Sequence, residues 1–284
     1  MQLDATGAAS MSVADSDPFV TFDAAEVMPR WTVVVPFHNE CEYLPANLHS
    51  LAIQTVPFRL VLVDNGSTDG SAEIALAICR EIGLAPVLRT ESRPGKVAAL
   101  QCGIEGVVAE LVATCDADTI YPRDYLARAA ALLDRPAVVA AVAATSPPAS
   151  SALRRKMAGL HLAVAAFFLR QQCLNGGAGQ VFRTGALRAA GGFDPLIWNW
   201  VLEDHEIMAR VEREGLIAYH PGFHCAPTAR PRTGVKASWR LVERLRYHRT
   251  NSSSRIAFFH GFLSPRLRQR AVTSDRLRRV APHF

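Results

Sequence analysis

Asp116 and Asp118 stand one residue apart at the end of LVATCDAD (Leu111 to Asp118), an apolar run of strand type. Two carboxylates so spaced on a strand point to the same side. At a strand end they can jointly hold a hard cation such as Mg²⁺ or Mn²⁺ through oxygen. That cation would neutralise a diphosphate as it leaves. Turns also recruit aspartate, but an apolar strand seldom ends in two carboxylates without use. Asp64 closes a second apolar run, RLVLVD (Arg59 to Asp64), and opens NGSTDG. Asn65, Ser67 and Thr68 read as turn formers. Asp64 belongs to the strand and can accept hydrogen bonds from a base or a ribose. Glu203 and Asp204 follow the aromatic segment WNWVL at a helix start. Acids there compensate the helix dipole, which composition alone favours. The functional reading is a general base that takes the proton of an acceptor hydroxyl. Arg93-Pro94-Gly95-Lys96 places a glycine and two cations before a helix N-terminus, a setting for a phosphate. It lacks P-loop spacing, so an ATPase reading is poor.

The elements that must position these groups follow from pattern. WTVVVPF (Trp31 to Phe37) and RLVLVD read as buried parallel strands. Leu44 to Gln54 carries Leu44, Leu48 and Leu51 at helical spacing. Ala72 to Ile82 is a helix that Asp69 or Ser67 can cap and Gly83 can stop. Ala85 to Arg89 is a short strand, Lys96 to Val107 a helix, Tyr125 to Leu133 a helix and Ala137 to Ala143 a strand. This alternation predicts a parallel α/β sheet with right-handed crossovers. Ligands bind such sheets at the carboxyl ends of the strands, where Asp64, Asp116 and Asp118 fall. The later chain is less regular: Ser151 to Arg170 helical, NGGAG (Asn175 to Gly179) a tight loop, QVFRT a strand, Glu203 to Arg213 a helix, Ile217 to His220 a strand, and Ser238 to Arg249 a basic amphipathic helix.

Hydrophobic residues make up 49% of the 284 and charged residues 20%, enough for a sizeable core and too little charge for global disorder. Residues 1–30 are small and acidic without period, and read as a loosely ordered lead-in without a secretory signal. No apolar run reaches the length of a membrane-spanning helix. Met157 to Leu169 is the best apolar stretch and reads as a buried or interfacial helix. The six cysteines form no CxxC pair, so zinc and disulfide readings fail on spacing, and reduced thiols in a cytoplasmic protein are expected. Residues 226–284 hold 14 Lys and Arg against 2 acids, whereas residues 1–225 hold 17 against 24. A basic tail of this kind attracts phosphates, anionic headgroups or nucleic acid.

Four segments in order resemble family 2 glycosyltransferases: VVVPFHNE, LVLVDNGSTDGS, GKVAALQCGI with LVATCDAD, and GGFDPLIWNWVLEDHEIMARV. The resemblance covers roughly residues 31–225. It implies an α/β, GT-A fold (nucleotide-diphospho-sugar transferase, Rossmann-like) with a mostly parallel central sheet flanked by helices. The expected division is a nucleotide-binding half over 31–145, an acceptor half over 146–225 and a basic helical tail over 226–284. The resemblance further implies that Pro36, Asn39 and Glu40 line the nucleotide pocket, and that Asp64 contacts the base, usually uracil. Lys96 stands near the nucleotide, Asp116 approaches the ribose or metal, and Asp118 holds the metal. Asp204 is the implied base, and Glu203 beside it orients the acceptor. The loop Gly176 to Gly179 packs near both substrates. Some relatives place a histidine metal ligand in the region of His220 and His224, though a hydrogen-bonded structural histidine is the commoner use. His205 can tune Asp204 but is expected to face elsewhere.

The activity so implied is inverting transfer from a nucleoside-diphosphate sugar, usually a UDP-sugar, to a hydroxyl acceptor, in cell-surface polysaccharide or glycolipid synthesis, with Mn²⁺ or Mg²⁺. Glu243-Arg244-Leu245-Arg246-Tyr247 matches the synthase motif Q-x-x-R-W poorly, which speaks against processive synthesis. Arg240, Arg244, Arg246 and Arg249 suggest contact with an anionic membrane on its cytoplasmic face and a lipid-linked acceptor. No nucleic-acid motif accompanies the charge. A nucleotidyltransferase would want an early basic glycine loop, which VVVPFHNE lacks. A binding protein that has lost turnover would not need both Asp118 and Asp204.

Overall fold

A computed structural model describes residues 28–146, 151–168, 172–174, 176–228 and 239–275. The expected helical tail and lead-in therefore lie partly outside the described residues, as does Asn175 of the NGGAG loop. Strand β1 (Trp31–Phe37) is buried along its whole length, as its β-branched run requires. Helix α1 (Leu44–Ala52) covers it through Leu44, Leu48 and Leu51, each fully buried. Burying each such leucine stabilises by about 1.5–3 kcal/mol. Strand β2 (Phe58–Asp64), helix α2 (Ser71–Glu81) and strand β3 (Val87–Thr90) continue the alternation. The start of α2 differs from the expected cap. Gly70, in a left-handed conformation, occupies the cap position, and Asp69 Oδ1 accepts from the Ser71 amide and hydroxyl.

Helix α3 (Lys96–Ile104) lies on the opposite face of the sheet. Its Gly103 sits so close to β1 that a Cβ there would be 2.3 Å from Val34 Cγ1. Strand β4 (Leu111–Cys115) ends one residue before Asp116, so the two aspartates stand in the following turn and not on the strand. Strand β5 (Thr119–Ile120), α4 (Tyr125–Leu133), β6 (Val138–Val142), β7 (Ala144–Thr145) and α5 (Ala152–Phe168) follow. The second half adds β8 (Gly179–Arg183), α6 (Thr184–Ala189), α7 (Glu203–Val211), β9 (Leu216–Ala218) and β10 (His224–Pro227). Helices α8 (Leu241–His248), α9 (Ser252–Ala257) and α10 (Ser264–Gln269) close the described chain, with a π-helical turn at Phe258–Leu263 between the last two.

The main sheet has seven strands in the order β3-β2-β1-β4-β8-β6-β9. All neighbours run parallel except β8, which is antiparallel to both β4 and β6. A second, small sheet has the order β5-β10-β7. One apolar core packs α1, α2 and α4 against one face, and a second packs α3, α6 and α7 against the other. A third core joins Trp198, Val201 and Ala209 to Tyr247, Phe258, Phe259, Leu263 and Leu267. The C-terminal helices thus grip α7 and the loop before it. Within α8 the degenerate motif is not fully solvated: Glu243 and Tyr247 are buried, while Arg244 and Arg246 are exposed.

Candidate active site

A cleft of about 390 Å³ opens at the carboxyl ends of β1 and β4, where a parallel sheet offers a ligand its crevice. Pro36, Glu40, Lys96, Asp116 and Asp118 all line it. The turn carrying the two aspartates is held from below. Fully buried Asn47 donates through Nδ2 to the carbonyls of Asp116 and Thr119, at 3.0 and 2.7 Å. The Tyr121 hydroxyl accepts from the Asp116 amide at 2.8 Å and donates to the Ala178 carbonyl at 2.5 Å. One phenol therefore joins the aspartate turn to the glycine loop before β8.

Lys96, first residue of α3, is the electrostatic centre. Its Nζ lies 2.7 Å from Asp116 Oδ1 and 3.5 Å from Glu203 Oε1. Burial opposes its charge, but the carboxylates of Asp116, Glu203 and Asp204 outweigh burial and hold it protonated well above the usual lysine range. Glu203 and Asp204 come from the start of α7, which Leu202 initiates at φ 67, a costly conformation for a non-glycine residue. Burial raises the Glu203 carboxyl; Lys96 works against this and Asp204 adds to it. Asp204 goes the other way: burial would raise it, but His205 and then Lys96 pull it below the usual aspartate value. His205 Nδ1 is 2.9 Å from Asp204 Oδ1, which also accepts from the His205 amide at 2.8 Å. This corrects the expectation that His205 faces elsewhere. Its ring rests edge-on against Trp239 and Tyr247.

The glycine loop completes the arrangement. A Cβ placed on Gly176 would fall 1.9 Å from Asp204 Oδ2. One placed on Gly177 would lie 3.6 Å from Asp204 Oδ2 and 3.7 Å from Asp116 Oδ2. Carboxylates 88 residues apart thus face one small space across Gly177, whose φ of 87 suits glycine.

Other predicted residues stand elsewhere. Asn39 is exposed, and its Oδ1 accepts from the Thr68 amide at 2.8 Å, tying two loops together. Asp64 does not line the cleft; its Oδ1 accepts from the Ser67 amide at 2.8 Å. Arg93 pairs with Glu91 and borders a different cavity of about 510 Å³ behind α3 and α6. That cavity has one carboxylate in its lining, Glu105, and so no acidic pair. His220 and His224 bond locally, to the amide and the carbonyl of Gly222, and His224 borders a separate hollow beside Arg128 and Lys156. Three polar cleft residues escaped the sequence reading: His38, Asn65 and Ser274. Asn65 bonds the Gly95 amide and the carbonyls of Glu91 and Arg93, which fixes the loop ahead of Lys96. Its turn-forming composition hid that reach.

Among the described residues no three His, Cys, Asp or Glu side chains gather into a metal site. Asp116 and Asp118 are two hard oxygen donors beside an open cleft. Such a set suits Mg²⁺ or Mn²⁺ whose remaining ligands are substrate phosphate and water.

A mostly parallel sheet with one reversed strand and an acidic crevice at its carboxyl edge is a GT-A architecture. Residues 32–193 match the model of glycosyl transferase family 2, and the chain belongs to that family. It is 33% identical over 108 residues to an undecaprenyl-phosphate 4-deoxy-4-formamido-L-arabinose transferase of Serratia proteamaculans, covering 36% of this chain and 33% of that one. It is 34% identical over 107 residues to a PGL/p-HBAD biosynthesis glycosyltransferase of Mycobacterium bovis, covering 37% and 42%. The alignments with these curated relatives span less than half of their length. Among solved structures it resembles the mannosyltransferase PcManGT of Pyrobaculum calidifontis, in complex with GDP-Man and Mn²⁺, with TM-score 0.61, 24% identity, and 79% and 61% of the two chains covered.

Proposed function

We propose that this protein transfers a sugar from a nucleoside-diphosphate donor to the hydroxyl of a lipid-linked acceptor, inverting the anomeric carbon. The observation that carries the reading is the meeting of Asp116 and Asp204 across Gly177, with Lys96 paired to Asp116. In this reading Asp204 Oδ2 takes the acceptor proton, and the acceptor oxygen bonds to the anomeric carbon as the bond from that carbon to the diphosphate breaks. Asp204 suits the task because His205 keeps it ionised and oriented. Glu203, tied to Lys96, lies where it can orient the acceptor. A divalent cation held by Asp118 and Asp116 would supply neutralising charge to the departing diphosphate. Lys96 stands on the same side of the cleft and adds its own positive charge.

The acceptor side is supported by surface chemistry. On α5, Leu153, Met157, Leu160, Val164, Phe167 and Phe168 are exposed, and the helix sequence contains no acid. On α8, Leu241, Val242 and Leu245 are exposed beside the exposed Arg240, Arg244, Arg246 and Arg249. Apolar side chains interleaved with cations match an anionic bilayer surface. Among the described residues no helix is long and apolar enough to cross a membrane. The relative named for undecaprenyl phosphate is in keeping with such an acceptor.

The test is nucleotide release from a panel of UDP- and GDP-sugars with Mn²⁺ or Mg²⁺ and polyprenyl or glycolipid acceptors. One donor should yield free nucleotide and product of opposite anomeric configuration, and Asp204→Asn should lower kcat about 10²–10⁴-fold. Nucleotide binding without turnover on any acceptor would leave a binding protein instead.

A further inference from the structure

Beyond α10 the chain turns back towards the cleft. Ala271 makes the turn at φ 49, strained for a residue with a Cβ. Val272 and Ser274 then pair with the loop that precedes α7. The Val201 amide donates to the Val272 carbonyl at 3.3 Å, and the Ser274 amide donates to the Asn199 carbonyl at 3.2 Å. Trp200 and Thr273 form an antiparallel bridge between them. The Ser274 hydroxyl donates to Asn199 Oδ1 at 2.8 Å and lines the same cleft as Lys96, Asp116 and Asp118. Ser274 also presses on Gly95, where a Cβ would fall 2.6 Å from its Oγ. Gly95 has φ 118 and immediately precedes Lys96, so the glycine serves both the turn and the approach of this strap.

Two facts make the contact more than packing. The strap meets the loop at the N-terminus of α3, where amide groups and Lys96 favour a phosphate. Its other edge is bonded to residues 199–201, which lead through strained Leu202 into Glu203 and Asp204. A ligand that touches Ser274 therefore bears on the segment that aims the acids.

We propose that Ser274 is a donor-contacting residue, and that the strap Val272–Asp275 transmits occupancy of the diphosphate site to Glu203 and Asp204. The proposal rests on the donor-cleft reading above. Ser274 Oγ, whose proton goes to Asn199 Oδ1, accepts a hydrogen bond from a ribose hydroxyl of a nucleoside diphosphate; Asn199 is a positioning residue that holds it.

UDP and GDP, each with Mn²⁺, are titrated calorimetrically into the full chain and its variants. Ser274→Ala should weaken the bound nucleotide about 3–10-fold, the worth of one hydrogen bond, and Ser274→Thr should restore it. In turnover Ser274→Ala should raise the donor KM, whereas Asn199→Ala should also lower kcat. Hydrogen exchange on the unaltered chain should slow at residues 199–204 and 272–275 when nucleotide is added, a readout that does not depend on any variant folding. Nucleotide binding with Ser274→Ala unchanged and no added protection at 272–275 overturns the proposal and leaves the donor cleft intact. Failure of the unaltered chain to bind either nucleotide overturns the donor reading and this proposal together.

Discussion

His205 Nδ1 stands 2.9 Å from Asp204 Oδ1, and the same oxygen accepts the His205 amide. An ionised carboxylate offers no proton, so Nδ1 carries the hydrogen and the histidine stabilises the charged form of Asp204. Removing it raises the pKa of Asp204, which then becomes protonated as pH falls through a higher value. His205→Phe keeps an aromatic ring against Trp239 and Tyr247. Its acid limb of kcat/KM should move to higher pH, with kcat at neutral pH lower by about 10-fold or more, since a charged hydrogen bond is worth about 1.5–3 kcal/mol. An acid limb identical to that of the unaltered protein would remove His205 from this role.

Gly176→Ala addresses the same carboxylate from the other side. The added methyl would overlap Asp204 Oδ2. Displacing a base by about an ångström costs about 10²-fold. We expect kcat to fall by that order while UDP or GDP affinity changes little, measured by turnover and titration side by side. Unimpaired turnover would mean that Asp204 does not act from the position described.

Helix α7 carries a second commitment at its far end. Arg255 and Glu212 form an ion pair with both side chains almost wholly buried. Arg255→Met leaves the Glu212 carboxylate without that cation and should cost about 3–5 kcal/mol in urea denaturation. A cost below about 1 kcal/mol would place the pair among ordinary surface bridges.

Surface attachment is open to vesicle flotation. A triple variant, Met157→Glu, Leu160→Glu and Val164→Glu, breaks the apolar stripe of α5. Gly159 on the opposite side abuts the Pro221 backbone, and among the described residues Met157, Leu160 and Val164 are exposed. Binding to phosphatidylglycerol vesicles should fall at least about 10-fold, because each charge opposes both apolar insertion and the anionic surface. Equal binding of the unaltered chain to neutral and anionic vesicles would count against membrane contact.

Much of the scaffold was legible because its signals are local. Trp31–Phe37 and Tyr125–Leu133 follow from β-branched and helical periodicity, and both occur with the expected ends. The reversal of β8 was not legible, since an apolar run carries no direction. The aspartates were placed at the right end of the right strand, yet they stand in a turn whose shape depends on Asn47 and Tyr121, distant and unremarkable in sequence. Asp64 ends its strand as expected, and the turn it opens uses its Oδ1 to accept from the Ser67 amide. Ser274 could not be found at all, because a lone serine in a basic segment gives no pattern until the chain folds back.

The reversed strand has one more consequence. Because β8 runs against β4, Gly179 pairs with Cys115, and the residues entering β8 arrive at the edge where the residues leaving β4 depart. Had the strand been parallel, that entry would lie on the molecule's far side. Lengthening the chain ahead of Gly179 would therefore reshape the loop that faces Asp116 and Asp204, while lengthening it after Arg183 would act at the opposite rim of the sheet. A single inverted strand thus brings the glycine loop and the aspartate turn to one edge of the sheet.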